Sequence, residues 1–350
     1  MWNPFKRLTE SRSKAYTLDE LTSLLGRGTS SGIQINSDNA QSVTSVFAAM
    51  SFISKQVAGY PIRSESQEIN QLFAISPDRK ITPYQWSIAT VLNLLADGNA
   101  YSHITWKANG QPSKVEFLAS NRVHPLIDNH KLLGYHVDGK PVLTRNILHF
   151  RINSMDGITG RSPITVCRES VGVAYKQQEQ LGQQLKNDMK PSGIIKLLAP
   201  FKDENAVQRF KEGLRAKDKG EILILDNGAE WQQVAISNAD AEFLEQRKFS
   251  VDEVARMFNL DKIWLQNSGT GAKYDEVNAS QKALLSNTIM PYLIAMEQEL
   301  RLKLHDETTN FNLAEIQRLD VKTRYDIYKQ CVDMGLLTVD DIKRKEKLDA

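Results

Sequence analysis

Apolar residues recur at intervals of three and four along much of the chain, the spacing that places side chains on one face of an α-helix. The longest such stripe lies toward the carboxyl end and comprises Val277, Leu285, Ile289, Leu293, Met296, Leu300 and Leu304. Pro291 lies inside this stripe and has no N–H to donate back to Asn287, a loss that costs about 3 kcal/mol. The pattern therefore predicts a long helix with a kink at Pro291.

A polar segment precedes this helix. Its eight residues are small or polar and read Gln266, Asn267, Ser268, Gly269, Thr270, Gly271, Ala272 and Lys273. The two glycines tolerate positive φ angles, and nothing in the segment is apolar enough to belong to a core. A shorter apolar stripe through Val251, Val254 and Phe258 comes earlier and should end near Leu260. The pattern predicts a polar loop held between two helices.

The amino-terminal half combines helical stripes with short alternating strands. One stripe comprises Val43, Val46, Phe47, Met50, Ile53 and Val57, and Gly59 ends it. A second helix begins at Pro83 with Thr82 as its cap and ends at Gly98. Residues 101–106 and 115–118 flank an Asn-Gly turn and predict a hairpin, and further short strands extend to residue 151. This part is expected to form an α+β domain with a mostly antiparallel sheet.

The pattern changes after residue 160. Ser162 and Pro163 open a helix of about 27 residues that should end near Met189, with Gln178 in its apolar seam. Residues 191–236 predict a small insert of strands and one helix, too short to bury much surface alone. Two further helices are expected at 320–334 and 339–347. The fold class predicted for the whole chain is α+β.

Composition narrows the class of protein. The 350 residues are 41% hydrophobic and 25% charged, as in folded globular proteins, and the length suggests two or three domains. Forty-four basic and 42 acidic side chains leave a net charge of +2, which argues against tight binding of many phosphates. Cys167 and Cys331 form no CxxC pattern, which indicates a reducing compartment. No apolar run follows the first residues, so neither a signal peptide nor a membrane span is expected.

The sequence contains only fragments of catalytic motifs. Residues 28–32 match the GxSxG pattern, but the segment lacks the strand and the helix that this motif requires. Residues 269–273 resemble part of a P-loop without its spacing. The six histidines show no metal-binding spacing. No catalytic residue, cofactor or metal is predicted, although an α+β enzyme of the cytoplasm with unrecognised catalytic residues stays an alternative.

Six segments carry a resemblance to a known family. They lie at residues 45–61, 82–101, 147–164, 187–193, 253–261 and 274–304. In this order and with these gaps they resemble the phage portal proteins of the HK97-like family, and the resemblance extends over about residues 40–345. The chain departs from the family near Asn259 to Asp261, where glycine and proline are common, and in its shorter carboxy-terminal tail. A ring-forming head–tail adaptor is a second alternative, although adaptors are usually much shorter.

The resemblance implies a division of the chain into named parts. These are a flexible arm at 1–42, a wing at 43–160, a first stem helix at 161–190, a clip at 191–240, a second stem helix at 241–265, a tunnel loop and kinked helix at 266–310, and a crown at 311–350. It also implies a closed ring, typically a dodecamer, at one capsid vertex of a virion, assembled in the host cytoplasm. The implied partners are other copies of the chain, the large terminase subunit, the major capsid protein or a scaffold, a head–tail connector and double-stranded DNA.

The same resemblance places the polar loop against DNA. Its expected DNA-facing residues are Gln266, Asn267, Ser268, Gly269, Thr270, Gly271 and Lys273. Contact with DNA is expected to be weak and independent of sequence, because a channel lined by many lysines would hold the duplex instead of letting it slide. Lys273 is the one cation expected near the phosphates. No enzymatic activity, cofactor or membrane partner is implied.

Overall fold

A computed structural model describes Thr29 and residues 32–186, 193–196, 230–233, 238–265, 280–313 and 321–346. The chain divides into one unit of Met1–Val173 with Val251–Ala350 and a second unit of Ala174–Ser250. The α-helices of the described residues are α1 Ser37–Ala40, α2 Thr44–Ala58, α3 Gln67–Ile75, α4 Pro83–Asp97, α5 Pro163–Val166, α6 Arg168–Lys186, α7 Asn238–Met257, α8 Met290–Leu304, α9 Val321–Asp333 and α10 Val339–Glu346.

The strands of the described residues pair only in antiparallel fashion. They are β1 Ile62–Arg63, β2 Asn99–Trp106, β3 Pro112–Leu118, β4 Val123–Asp128, β5 Lys131–Val137, β6 Lys140–Val142, β7 Ile147–Arg151, β8 Gly193–Lys196, β9 Glu230–Gln233 and β10 Asn310–Phe311. Helices and antiparallel strands together confirm the α+β class.

The first unit contains two three-stranded sheets where the sequence predicted one. The first sheet has the order β3-β2-β7, so the central strand β2 is hydrogen-bonded on both edges. Strands β4, β5 and β6 pair with each other, because tight turns with positive φ at Asn129, His130 and Asp138 fold them back on themselves. The two sheets share a core in which Tyr101 packs against Tyr135, with ring centroids 6.0 Å apart.

Helix α4 covers the first sheet and follows its predicted boundaries. The Thr82 side chain accepts a hydrogen bond from the Gln85 N–H at 3.2 Å, Pro83 occupies the first turn, and Gly98 ends the helix at φ 75°. Trp86 is fully buried, donates from Nε1 to Ser102 Oγ at 3.1 Å and meets Phe150 edge-on at 6.0 Å. Trp86 thus packs α4 against strands β2 and β7.

Helix α2 packs beside α4 and differs from its predicted face at one position. Most of its predicted stripe is buried, but the Phe47 side chain is 57% exposed. Helix α3, which the apolar spacing did not predict, lies between β1 and α4 in the chain and buries Ile69 and Phe73.

The pairing of β1 with β10 joins residues far apart in the chain. Ile62 pairs with Phe311 and Arg63 pairs with Asn310. Beside this pair, Asp306 accepts hydrogen bonds from the hydroxyls of Ser64 and Thr309. The segment after α8 is thereby fixed to the strand that follows α2.

The helix predicted to begin at Pro163 is interrupted. Ser162 caps it, accepting from the Thr165 N–H at 3.1 Å, but α5 ends after four residues because Cys167 leaves the helical region at φ −98° and ψ 24°. Helix α6 then begins at Arg168. Gln177 is the buried glutamine in its seam, whereas Gln178 is exposed.

The second unit contains most of α6, the first part of α7 and a small sheet. Ser250 Oγ on α7 donates to Gln177 Oε1 on α6 at 2.7 Å, which links the two helices. Strands β8 and β9 pair from Gly193 with Gln233 to Lys196 with Glu230. The predicted helix and strand between them lie outside the described residues.

Candidate functional site

Helix α7 ends in a tight turn at Asn259. The Leu260 N–H donates to the Ala255 carbonyl at 2.8 Å and the Asn259 N–H donates to the Arg256 carbonyl at 3.1 Å. Asn259 has φ 52°, the left-handed conformation that this pair of bonds requires. Asparagine adopts it more readily than most residues other than glycine. The turn directs Leu260 into the core, where it is buried.

A π-helical turn at Leu284–Ile289 leads into helix α8. The Met290 N–H donates to the carbonyl of Leu285, five residues earlier. Pro291 follows in the first turn of α8 and its side chain is exposed. The sequence predicted a kink at Pro291 but not this π turn. A π turn inserts one extra residue into the helix, and here it lies directly before the proline, which has no N–H to donate.

Two hydrogen bonds join the end of α7 to the π turn. Asn259 Nδ2 donates to the Asn287 carbonyl at 2.8 Å, and Thr288 Oγ1 donates to the Asn259 carbonyl at 2.5 Å. Thr288 is buried, whereas Asn259 and Asn287 are exposed. The segments on either side of residues 266–279 are therefore held together by two hydrogen bonds, and each segment supplies the donor of one of them.

The chain that leaves this turn toward residue 266 is anchored on α2. Residues Lys262–Trp264 form one turn of 3-10 helix. The Trp264 ring stacks on Phe52, with centroids 5.4 Å apart and planes inclined by 25°. A stacked aromatic pair of this kind adds about 0.5–1.5 kcal/mol to the burial of the two rings.

Helix α8 is anchored to the first sheet by a buried carboxylate. Glu299 Oε1 accepts a hydrogen bond from the His149 backbone N–H at 3.0 Å, and Glu299 Oε2 lies 3.7 Å from Arg151 Nη2. Burial raises the pKa of Glu299. Lys303 on the same helix donates to the Thr144 carbonyl at 2.8 Å. The last turns of α8 are thus fixed to β7 and to the turn that precedes it.

The His149 side chain continues this network as a neutral imidazole. Asn99 Oδ1 accepts the Gly160 N–H at 2.7 Å, so at 2.9 Å from His149 Nε2 it accepts a hydrogen bond there as well. That assigns the ring proton to Nε2 and leaves Nδ1 to accept from the Tyr135 hydroxyl at 3.1 Å. Burial, together with nearby Arg151, lowers the pKa of His149 to about 3.

Of the predicted site residues, the structure describes Pro291 alone. Gln266, Asn267, Ser268, Gly269, Thr270, Gly271 and Lys273 lie outside the described residues, and Pro291 lies within them. Sequence reasoning did not find Asn259 or Thr288. A signal was present, because a proline at 291 deprives the Asn287 carbonyl of the N–H that it would accept in a regular helix.

Metal-binding groups do not come together in the described part of the chain. Within those ranges, no three His, Cys, Asp or Glu side chains are placed to hold a metal ion. Of the GxSxG match, Thr29 and Gly32 are described, and Thr29 Oγ1 donates to the Ile33 carbonyl at 2.8 Å. Across the same described residues, no helix has the length and apolar character needed to span a bilayer.

Comparison with known proteins points to one family. Residues 44–347 match the family model described as phage portal protein. The chain is 25% identical to a probable portal protein of Streptomyces phage phiC31, over 93% of this chain and 78% of that protein. It is 23% identical to the portal protein of Enterobacteria phage HK97, over 90% of this chain and 80% of that protein.

A solved structure has a similar fold. It is a chain from the neck of a native gene transfer agent particle, computed with C12 symmetry. The two folds agree with a TM-score of 0.64 and 19% sequence identity, over 88% of this chain and 92% of the other.

Proposed function

This chain belongs to the phage portal protein family, and from that premise we propose that copies of it form a ring at one capsid vertex through which double-stranded DNA is packaged and ejected. The observation that carries the proposal is the extent of the family match. It runs from residue 44 to residue 347 and so includes every predicted part except the arm. A chain that had kept only a wing or only a stem would not support a channel role.

The number of copies in the ring is proposed to be twelve. The gene transfer agent neck with the similar fold was computed with C12 symmetry. Closed cyclic symmetry is the usual outcome when one surface of a subunit binds a different surface of the next copy and the rotation closes. On this proposal, the activity belongs to the assembled ring and not to any bond-making group of one chain.

The charge of the chain supports a channel that passes DNA without holding it. Forty-four basic side chains are balanced by 42 acidic ones. For each phosphate that a protein neutralises, the logarithm of its affinity for DNA falls by about 0.9 for every tenfold increase in salt. A strongly basic lumen would neutralise many phosphates and would therefore bind the duplex instead of letting it slide. The proposed lumen contact is the polar loop Gln266–Lys273, with Lys273 as its one cation.

The described residues supply a rigid frame for that loop. Asn259 and Thr288 join the two flanking helices, Trp264 stacks on α2, and Glu299 fixes α8 to the first sheet. Sites held by packed helices and strands are more precise than sites held by other loops. We expect the position of the loop in the channel to be set by this frame.

The remaining parts of the proposal concern boundaries and partners. We propose a wing at 43–160, stem helices at 161–190 and 241–265, a clip at 191–240, a tunnel loop with the kinked helix at 266–310, and a crown at 311–350. The proposed partners beyond other copies are the large terminase subunit, the major capsid protein or a scaffold, and a head–tail connector. The ring is proposed to reside in the virion after assembly in the host cytoplasm, and no catalytic activity is proposed.

Size-exclusion chromatography with light scattering tests the assembly. A portal should give a particle near twelve times the 39.5 kDa of one chain, or a series of species approaching it. A species that stays at one or two chains across the accessible range of concentration and salt would contradict the ring and favour the enzyme alternative.

A further inference from the structure

The Asn287 carbonyl accepts a hydrogen bond from outside its own helix. In a regular α-helix this carbonyl would accept the N–H of residue 291, but that residue is proline. The amide of Asn259, on the far side of residues 266–279 in the chain, donates to it at 2.8 Å. A side chain from the preceding helix end therefore takes the place of a missing backbone donor.

We propose that Asn259 and Thr288 form a clamp, which holds the end of α7 against the π turn of Leu284–Ile289. These two segments flank the DNA-facing loop in the chain, so Asn259 is a positioning residue for DNA passage. This inference rests on the proposed portal function. Within that function, the separation and mutual rotation of the α7 end and the π turn are set by these two side chains and not by the loop itself.

Asn259 meets two requirements that few residues meet together. Its φ of 52° belongs to the left-handed region, which glycine and asparagine tolerate best. Its side chain must also donate to a carbonyl, which an aspartate cannot do when ionised and a glycine cannot do at all. Asparagine therefore fits both the backbone turn and the clamp, whereas glycine fits only the turn.

Thr288 gives the clamp its second bond. Its hydroxyl is buried and donates to the backbone carbonyl of Asn259. One hydrogen bond would fix a distance and leave the helices free to rotate about it. Two bonds between the same pair of backbone segments, with donors on opposite sides, restrict rotation as well.

The test uses three single variants of the full chain. Asn259→Gly keeps the left-handed turn and removes the amide, and Thr288→Val keeps the shape of the side chain and removes the hydroxyl. Asn153→Gly is the matched control, because Asn153 also has φ 52° but lies in the exposed loop after β7. Backbone hydrogen exchange of residues 255–265 and 280–290 is measured in the assembled protein, together with DNA retained in filled heads.

The two clamp variants should assemble as wild type, and their exchange in these two segments should be about two- to fivefold faster, as expected for the removal of one modest hydrogen bond. Retained DNA should fall in both, and Asn153→Gly should match wild type. Wild-type exchange and wild-type DNA retention in both clamp variants would overturn the inference. If wild type itself neither forms rings nor retains DNA, the proposed function has failed instead.

A double variant separates the clamp from general destabilisation. Pro291→Ala restores a backbone N–H near the Asn287 carbonyl, so Asn259→Gly should accelerate exchange less in that background than in wild type. Equal acceleration in both backgrounds would show that the amide does not substitute for the missing donor.

Discussion

Gly98 and Gly160 face each other so closely that neither position has room for a side chain. A Cβ atom on Gly160 would lie 1.9 Å from the Gly98 carbonyl oxygen, and a Cβ on Gly98 would lie 2.3 Å from the carbonyl carbon of Arg161. Asn99 closes the contact, donating from Nδ2 to the Gly160 carbonyl at 3.0 Å. The end of α4 and the segment that leads into α5 are thereby packed backbone against backbone.

Gly160→Ala should destabilise the protein by about 2–3 kcal/mol, the upper range for forcing extra volume into a packed contact. The obstructing atoms are backbone, so no rotamer change relieves them. Gly182→Ala on α6 is the control, since nothing lies within 4 Å of its Cβ and alanine favours a helix. Chemical denaturation measures both, and a Gly160→Ala variant as stable as wild type would contradict the packing described here.

Acid should weaken the fold through His149. Its pKa of about 3 in the folded chain lies below the 6.5 of an unperturbed histidine. Between these values the unfolded chain binds a proton that the folded chain does not, so stability falls as pH falls from 6.5, by up to about 1.4 kcal/mol per pH unit. Glu299 acts in the opposite direction, because its raised pKa lets the folded chain take up a proton first.

To isolate the contribution of His149 to the pH dependence of stability, the variants compared with wild type must keep Glu299. His149→Gln should lower stability near pH 7 and flatten its decline between pH 6.5 and 4.5. His124→Gln, at an exposed position of β4, should keep the wild-type decline. Unfolding free energies measured at several pH values decide the matter, and parallel curves for wild type and His149→Gln would refute the assignment of a neutral imidazole.

Pro291→Ala should impair DNA retention more than stability. Alanine restores a backbone donor beside the π turn of Leu284–Ile289, so the helix can return to regular α-helical bonding and shift the residues before it. Thermal unfolding and ring assembly should change little. Heads filled with wild-type efficiency by this variant would show that the proline has no part in holding DNA.

Lys273→Ala should reduce the salt dependence of DNA translocation. The slope of log affinity against log salt should become shallower by about 0.9 for each phosphate that the variant no longer neutralises. Lys282→Ala is the matched control, because Lys282 is an exposed lysine two residues before the π turn of Leu284–Ile289. If packaging rates of wild type and Lys273→Ala respond to salt alike, Lys273 does not face the phosphates.

The sequence predicted local structure well wherever a single local rule applied. Thr82 and Pro83 start α4, Gly98 ends it, and the Asn109-Gly110 turn forms the predicted hairpin. The family inferred from six ordered segments is confirmed by the match over residues 44–347. Capping, turn chemistry and segment order are all readable from residues close together in the chain.

Features that depend on distant partners were missed. The break at Cys167, the exposure of Phe47 and the division of the strands into two sheets are decided by packing that local spacing does not encode. Gln178 was placed in the apolar seam of the helix, but Gln178 is exposed and its neighbour Gln177 is buried, three residues after the buried Ala174. The Asn259 clamp was missed because its acceptor lies 28 residues away.

Negative-stain imaging of the purified full chain tests the central claim most directly. If this protein acts as one wall segment of a ring, class averages viewed along the symmetry axis should show an annulus of repeated subunits around an open channel, with twelve as the expected number. Fields that contain only isolated globules of single-chain size, in every buffer and concentration that keeps the protein folded, would contradict it.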